Sequence, residues 1–164
     1  MLQKILATAA AMMLLITPSI ASDRSEVAQI AREYMNHYSA ANMEAMEEFL
    51  AEEVIFSDPT AMGPNIDADG IYHEGRDEAV AALREFVESA HPIELGFIWD
   101  IVFESNGRVV FIGEVNALYP TEKEGQVFRW RSPQVTVVTI RDGKVVRHVD
   151  YANYAVPDRS LLSR

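Results

Sequence analysis

Three ionisable side chains stand where chemistry can be done. Asp58 follows the short apolar strand Val54-Ile55-Phe56 and precedes Pro59. Proline cannot donate a ladder hydrogen bond, so the strand ends there. A carboxylate held at a buried strand end points at whatever cavity that strand borders. His148 and Asp150 lie two residues apart on the last strand candidate, so they share one face with Val146. With a pocket over them, such a pair is an acid–base couple. Two carboxylates near apolar walls resist ionising together, so at least one of Asp58 and Asp150 is expected to have a raised pKa. Plainer roles are open to the same residues. Asp before Pro is a common turn element, and His148 with Asp150 can be a structural hydrogen-bonding pair. Tyr34 and Tyr38 share an otherwise apolar helix stripe, where a buried phenol needs a partner.

The elements that must position these residues are readable from periodicity. The chain has 164 residues, 49% of them apolar and 24% charged, which fits one globular domain with a real core. From Asp23 to Leu50 apolar residues recur at three- and four-residue steps, with Asp23 or Ser25 as cap. Asn42 breaks this run, leaving Met43, Met46, Phe49 and Leu50 as the face of a second, short helix. The strand to Asp58 leads into a Gly/Pro/Asp-rich loop. A helix then runs from Asp77 to Ser89 on the stripe Ala79, Val80, Leu83, Phe86 and Val87. Four long strands follow: Ile93–Glu104, Arg108–Tyr119, Gln126–Arg141 and Lys144–Tyr154. Asn106-Gly107 and Asp142-Gly143 are tight-turn signals between them. A two-residue second turn pairs Arg141 with Lys144, which puts His148 opposite Val137 and Asp150 opposite Val135. Residues 159–164 read as a frayed tail beyond a domain spanning 22–158.

Composition excludes several partners. The net charge is −11, so no basic patch is available for nucleic acid or anionic lipid. With no cysteine, disulfides, thiolate chemistry and cysteine-ligated metals are ruled out. The four histidines lack ligand spacing, and the calcium-like run Asn65-Ile66-Asp67-Ala68-Asp69-Gly70 meets Arg76 at the twelfth position, where a chelating Glu is required. No metal site and no cofactor are therefore expected. Residues 1–21 combine Lys4, the apolar run Ile5–Ile16, Pro18 and the small-residue end Ser19-Ile20-Ala21. They read as a signal peptide cleaved after Ala21, with a periplasmic or secreted product and no stable membrane anchor afterwards. The strand from Arg108 carries apolar residues on both faces: Val110, Ile112 and Leu118 on one, Val109, Phe111, Val115, Ala117 and Tyr119 on the other. A second copy covering one face, hence a homodimer, is expected.

The helix–helix–strand–helix–four-strand order, Asp58-Pro59 after the first strand, the run Gly75-Arg76-Asp77-Glu78-Ala79-Val80-Ala81-Ala82-Leu83 and the ending Asp142–Tyr151 resemble the NTF2-like superfamily. That group includes SnoaL-like polyketide cyclases, ketosteroid isomerases and limonene-epoxide hydrolases. The resemblance spans about Val27 to Tyr154. It implies an α+β cone, a strongly curved mixed or antiparallel sheet wrapped around about three helices, with a pocket at the wide end. By that resemblance Asp58 falls on the isomerase base and Tyr34 on its first-helix oxyanion donor. Val135 or Thr136 stands where the isomerase keeps a protonated Asp. Glu114 and Asn116 occupy the hydrolase Arg-x-Asp pair, and Asp150 matches the final-strand Asp of hydrolases and cyclases. The expected function is binding of a small apolar or mixed-polarity molecule, with cofactor-free acid–base chemistry of isomerase, cyclase or hydrolase type. Asp58, Asp150, His148 and Tyr34 are the expected catalytic residues, and Tyr38, Glu114, Asn116 and Trp130 the expected ligand contacts. The alternative is a non-catalytic ligand-binding or dimerising module.

Overall fold

A computed structural model describes residues 25–64 and 66–163. The signal-peptide reading and Asp23 lie outside the described residues. Ser25 starts the first helix, α1 (Glu26–Ser39): its Oγ accepts from the Ala28 backbone N at 3.1 Å, satisfying one of the free N–H groups of a helix start. Asn42 does the same for α2 (Met43–Glu47), accepting from Ala45 N at 3.2 Å. Two side chains that compete for backbone bonds thus divide one apolar periodicity into two helices. The third helix, α3, is Arg76–Ala90. Among the described residues no helix is long and apolar enough to cross a membrane.

Among the described residues seven strands form one curved, open sheet: β1 (Leu50–Asp58), β2 (Ile71–Glu74), β3 (Glu94–Ser105), β4 (Arg108–Pro120), β5 (Gln126–Arg141), β6 (Lys144–Ala152) and β7 (Asp158–Ser163). The order is β2-β1-β6-β5-β4-β3, with β7 on β5. β1 runs parallel to β6 and the other pairings are antiparallel, so the sheet is mixed. Both hairpin turns use residues at positive φ: Asn106 (50°) with Gly107 (75°), and Asp142 (51°) with Gly143 (74°). That handedness matches the twist of the flanking strands.

Four sequence expectations are corrected. The first strand begins at Leu50, not Val54. The loop after Pro59 contains β2, which pairs Ile71 with Asp58 and His73 with Phe56. Residues 159–163 are not frayed, because Leu161 and Leu162 pair with Phe128 and Val127 of β5. Finally, the register of the last hairpin slips. Arg141 does pair with Lys144, but an irregularity at Thr139/Ile140 then sets Val138 opposite His148 and Thr136 opposite Asp150. A bulge adds one residue to a strand, which a two-residue turn cannot reveal.

A second bulge reshapes β3. The alternation suggests one face for Leu95, Phe97, Trp99, Ile101 and Phe103. Pairing with β4 shifts between Trp99 and Ile101. Trp99 and Val102 pack on the core, while Ile101 and Phe103 stay 54% and 48% exposed on the other face. Gly113 sits opposite this bulge. A Cβ there would collide with the Ile98 carbonyl oxygen, so the close approach requires glycine.

The concave side of the sheet closes on α1, α2 and α3. Ala31, Tyr34 and Met35 of α1 meet Val109 and Phe111 of β4, Val138 of β5 and Val54 of β1 in one buried cluster. Fully burying a side chain of the size of Val or Phe contributes about 1.5–3 kcal/mol. Ile98, Ile101 and Phe103 on the convex side forgo about half of that.

Candidate active site

Pro133 sets the geometry of the site. β5 pairs with β7 up to Arg131 and with β6 from Gln134 onward. Pro133 stands between the two partners. Its carbonyl faces that gap and accepts from Asn153 N at 3.1 Å. Its missing N–H therefore breaks no ladder bond. On the concave face, Trp130 precedes this joint, and Gln134 and Thr136 follow it. The strand face of β6 that carries His148, Asp150 and Ala152 lies beside them, all buried.

Asp150 is held from four directions. Its Oδ1 accepts from Gln134 Nε2 at 2.9 Å and from Thr136 Oγ1. Its Oδ2 accepts from Tyr38 O–H at 3.2 Å, and His148 Nε2 lies 3.0 Å away. The oxygen is off the line of the imidazole N–H, so this last contact is an ion-pair approach rather than an aligned hydrogen bond. Burial pushes the Asp150 carboxyl up. The nearby His148, and hydrogen bonds from Thr136 and Tyr38, pull it down further, and the net shift is below the ordinary value. A raised pKa was expected for one of the two carboxyls; Asp150 departs in the opposite direction. It is an ionised acceptor rather than a neutral acid.

Behind it, Tyr34 O–H and His148 Nδ1 are 2.8 Å apart, and both side chains are fully buried. Burial, reinforced by the charge of Asp150, holds the Tyr34 phenol well above its usual pKa, so it stays protonated. Its O–H donates to Nδ1 when the ring proton is on Nε2, the nitrogen facing Asp150. Tyr38, Phe56 and Tyr34 surround the imidazole with ring centroids at 5.0, 4.5 and 5.6 Å.

Asp58 is anchored differently. Oδ1 accepts from Thr60 N at 2.9 Å and Thr60 Oγ1 at 2.6 Å, while Oδ2 accepts from Tyr154 O–H at 2.7 Å. Thr60 Oγ1 also accepts from Ala152 N at 2.9 Å, tying the end of β1 to the end of β6. A carboxylate offers about four acceptor positions. Asp150 fills three of its own with hydrogen bonds and has His148 Nε2 against the fourth, and Asp58 keeps one on Oδ2.

Asp58 and Asp150 line the same cavity, of about 360 Å³. Its apolar walls come from Leu83 and Phe86 of α3, Phe97 of β3, Ala117 of β4, and Phe128 and Trp130 of β5. The polar end gathers Tyr38, Asp58, Gln134, Asp150 and Tyr154. A larger depression of about 600 Å³ lies on the convex face between Arg108, Arg141 and Arg147 and contains neither carboxylate. Among the described residues no group of His, Asp and Glu is arranged to hold a metal ion.

The residues expected at the site therefore separate into three sets. Asp58, Asp150, Tyr38 and Trp130 line the cavity. Tyr34 and His148 form a buried layer behind it and reach it only through Asp150. Glu114 and Asn116 fall on the other face of β4, since Val115 and Ala117 take the cavity side. There Glu114 Oε2 pairs with Arg131 Nη2 at 2.6 Å. Gln134, Tyr154, Thr60 and His73 belong to the site without having been expected. Gln134 shares its strand face with Thr136, a signal that becomes useful once the bulge is known. Tyr154 and Thr60 sit in end segments whose direction no periodicity fixes, and His73 lies on the unexpected β2.

A mixed, curved sheet closed by three helices over a pocket with buried carboxylates defines an NTF2-like protein. The model of the SnoaL-like domain matches residues 31–148, and the chain belongs to that family. Among solved structures it is similar to a protein described as a SnoaL-like polyketide cyclase from Shewanella denitrificans, at 22% identity and TM-score 0.68 over 80% of this chain and 93% of that one. An NTF2-like protein of Burkholderia pseudomallei gives 23% identity and TM-score 0.64, over 80% and 93% of the two chains. The Δ5-3-ketosteroid isomerase of a Mycobacterium species gives 16% and 0.64, over 83% and 99%. At these identities the likeness establishes the fold alone. No functionally curated protein matches the chain.

Proposed function

We propose that the cavity binds a small molecule of apolar or mixed polarity, and that Asp58 accepts a proton from it without a cofactor. The observation that carries this reading is the remaining acceptor position on Asp58 Oδ2, at the polar end of an apolar cavity. Tyr154 donates to that oxygen and keeps the carboxylate oriented while the proton arrives. Asp150, ionised and fully engaged, fixes Tyr38 and Gln134 around the ligand's polar end. His148 and Tyr34 are positioning residues that hold Asp150. The reaction class is proton abstraction from carbon, as in isomerases and cyclases.

The test uses a panel of small neutral and charged ring compounds bearing an acidic C–H. The Trp130 indole N–H resonance reports occupancy, and deuterium uptake at the bound C–H reports proton transfer. Asp58→Asn is expected to retain binding of the neutral compounds and lose exchange. If Asp58→Asn exchanges like the wild type, Asp58 is not the base. A purely ligand-binding role is the second reading. It is favoured by the saturation of Asp150, whose lowered pKa makes it a weak base.

Two further elements complete the proposal. Residues 1–21 direct the chain to the periplasm or outside the cell, on the strength of their apolar run and small-residue end. A homodimer forms through the convex sheet face, where Ile98, Ile101 and Phe103 are about half exposed.

A further inference from the structure

The polar end of the cavity is rich in acceptors. Tyr38 donates to Asp150, Tyr154 donates to Asp58, and the Gln134 amide donates to Asp150 and Thr136. Each donor there is already engaged with a protein oxygen. What remains for a ligand is the open position on Asp58 Oδ2, the phenol oxygens, and ring faces. Among the described residues lining the cavity, none is Lys or Arg. The Tyr119 hydroxyl and the Trp130 indole N–H are further donors on the wall, but neither carries charge to balance an anion.

The walls add to this bias. Trp130 and Tyr154 stack obliquely with centroids 5.5 Å apart, and Tyr38 and Phe97 do so at 5.4 Å. Aromatic faces carry negative charge density and attract cations within about 6 Å, more strongly where water is excluded. The whole chain carries −11, so the long-range field has the same sign. A carboxylate ligand would enter against two carboxylates with no Lys or Arg on the described wall, and the His73 ring there already has Glu78 Oε1 3.1 Å from its Nδ1. A cation would meet a carboxylate, two phenol oxygens and several ring faces.

We infer that the cavity selects an organic cation: an apolar body carrying a protonated or quaternary nitrogen, with the nitrogen between Asp58, Tyr154 and Trp130. This rests on the binding reading above and narrows it to a ligand class. The apolar body lies along Phe97, Phe128 and Leu83, and the mouth is bordered by the half-exposed Phe86.

The experiment compares three probes of one shape class on the wild-type protein: phenyltrimethylammonium, its uncharged carbon isostere tert-butylbenzene, and benzoate. Trp130 lines the cavity and reports binding by fluorescence, with Trp130→Phe identifying its signal against that of Trp99. The ammonium is expected to bind about tenfold tighter than the isostere, with benzoate weaker than both. Asp58→Asn is expected to remove most of that preference. Higher salt is expected to narrow the gap in the wild type, a readout that needs no variant to fold. Equal or tighter binding of the isostere or of benzoate overturns the inference and leaves the binding reading intact, since the cavity is then occupied by other chemistry. No ammonium binding also overturns it; a neutral dye filling the cavity in the same sample shows that the failure is one of ligand class.

Discussion

Tyr34 and His148 stand 114 positions apart in sequence and meet at 2.8 Å in a fully buried contact. The phenol holds one imidazole nitrogen, and the other approaches Asp150, so α1 and β6 are joined through a polar chain inside an apolar core. Such a chain is costly when broken, because a buried group left without a partner retains its full desolvation cost.

Tyr34→Phe removes the hydroxyl and keeps the ring. It should lower unfolding free energy by about 1–3 kcal/mol. Urea denaturation measures this. A loss below about 0.5 kcal/mol would mean that the hydroxyl does not matter to His148.

Acid stability follows from Asp150. Its folded pKa is depressed, so it favours the folded state fully above the ordinary Asp value of about 3.9. That contribution fades as pH falls through the folded value. Asp150→Asn should be less stable than the wild type near neutral pH, and the gap should shrink on acidification below about pH 4. Urea midpoints at several pH values test it; a gap independent of pH would contradict the assignment.

Assembly is tested on the convex face. Ile101 and Phe103 are expected to be buried between two copies. Light scattering at micromolar concentration should give twice the chain mass, and Ile101→Lys combined with Phe103→Lys should give the monomer. A monomeric wild type would refute the dimer.

Export is tested by intact mass. Protein recovered from the envelope or medium should begin at Ser22. A mass that retains Met1–Ala21 would rule out the cleavage.

Much of the fold was legible because its signals are local. Ser25 and Asn42 cap helices by short-range bonds, and two Asx-Gly turns set the hairpins. The bulges were not legible. Asp150 faces Thr136 rather than Val135, and Ile101 faces outward, because an extra residue in a strand reverses parity without leaving a mark in composition. β2 and β7 are short strands whose pairing is decided by neighbours far along the chain. At the site, Asp58 and Asp150 were readable as strand-end and strand-face carboxylates. Which carboxylate is saturated was not, because that depends on Thr60, Gln134 and Tyr154, contributed by three other segments.

The account turns on the concave cavity being the binding site, rather than the apolar convex face. A neutral solvatochromic dye titrated into the wild type and into Ala82→Phe tests this most directly, since Ala82 lines the cavity from α3 and a phenyl ring there would intrude into it. The wild type should bind one dye per chain saturably, and Ala82→Phe should fold normally and lose that binding. Equal binding by both proteins would place the ligand elsewhere and contradict the account.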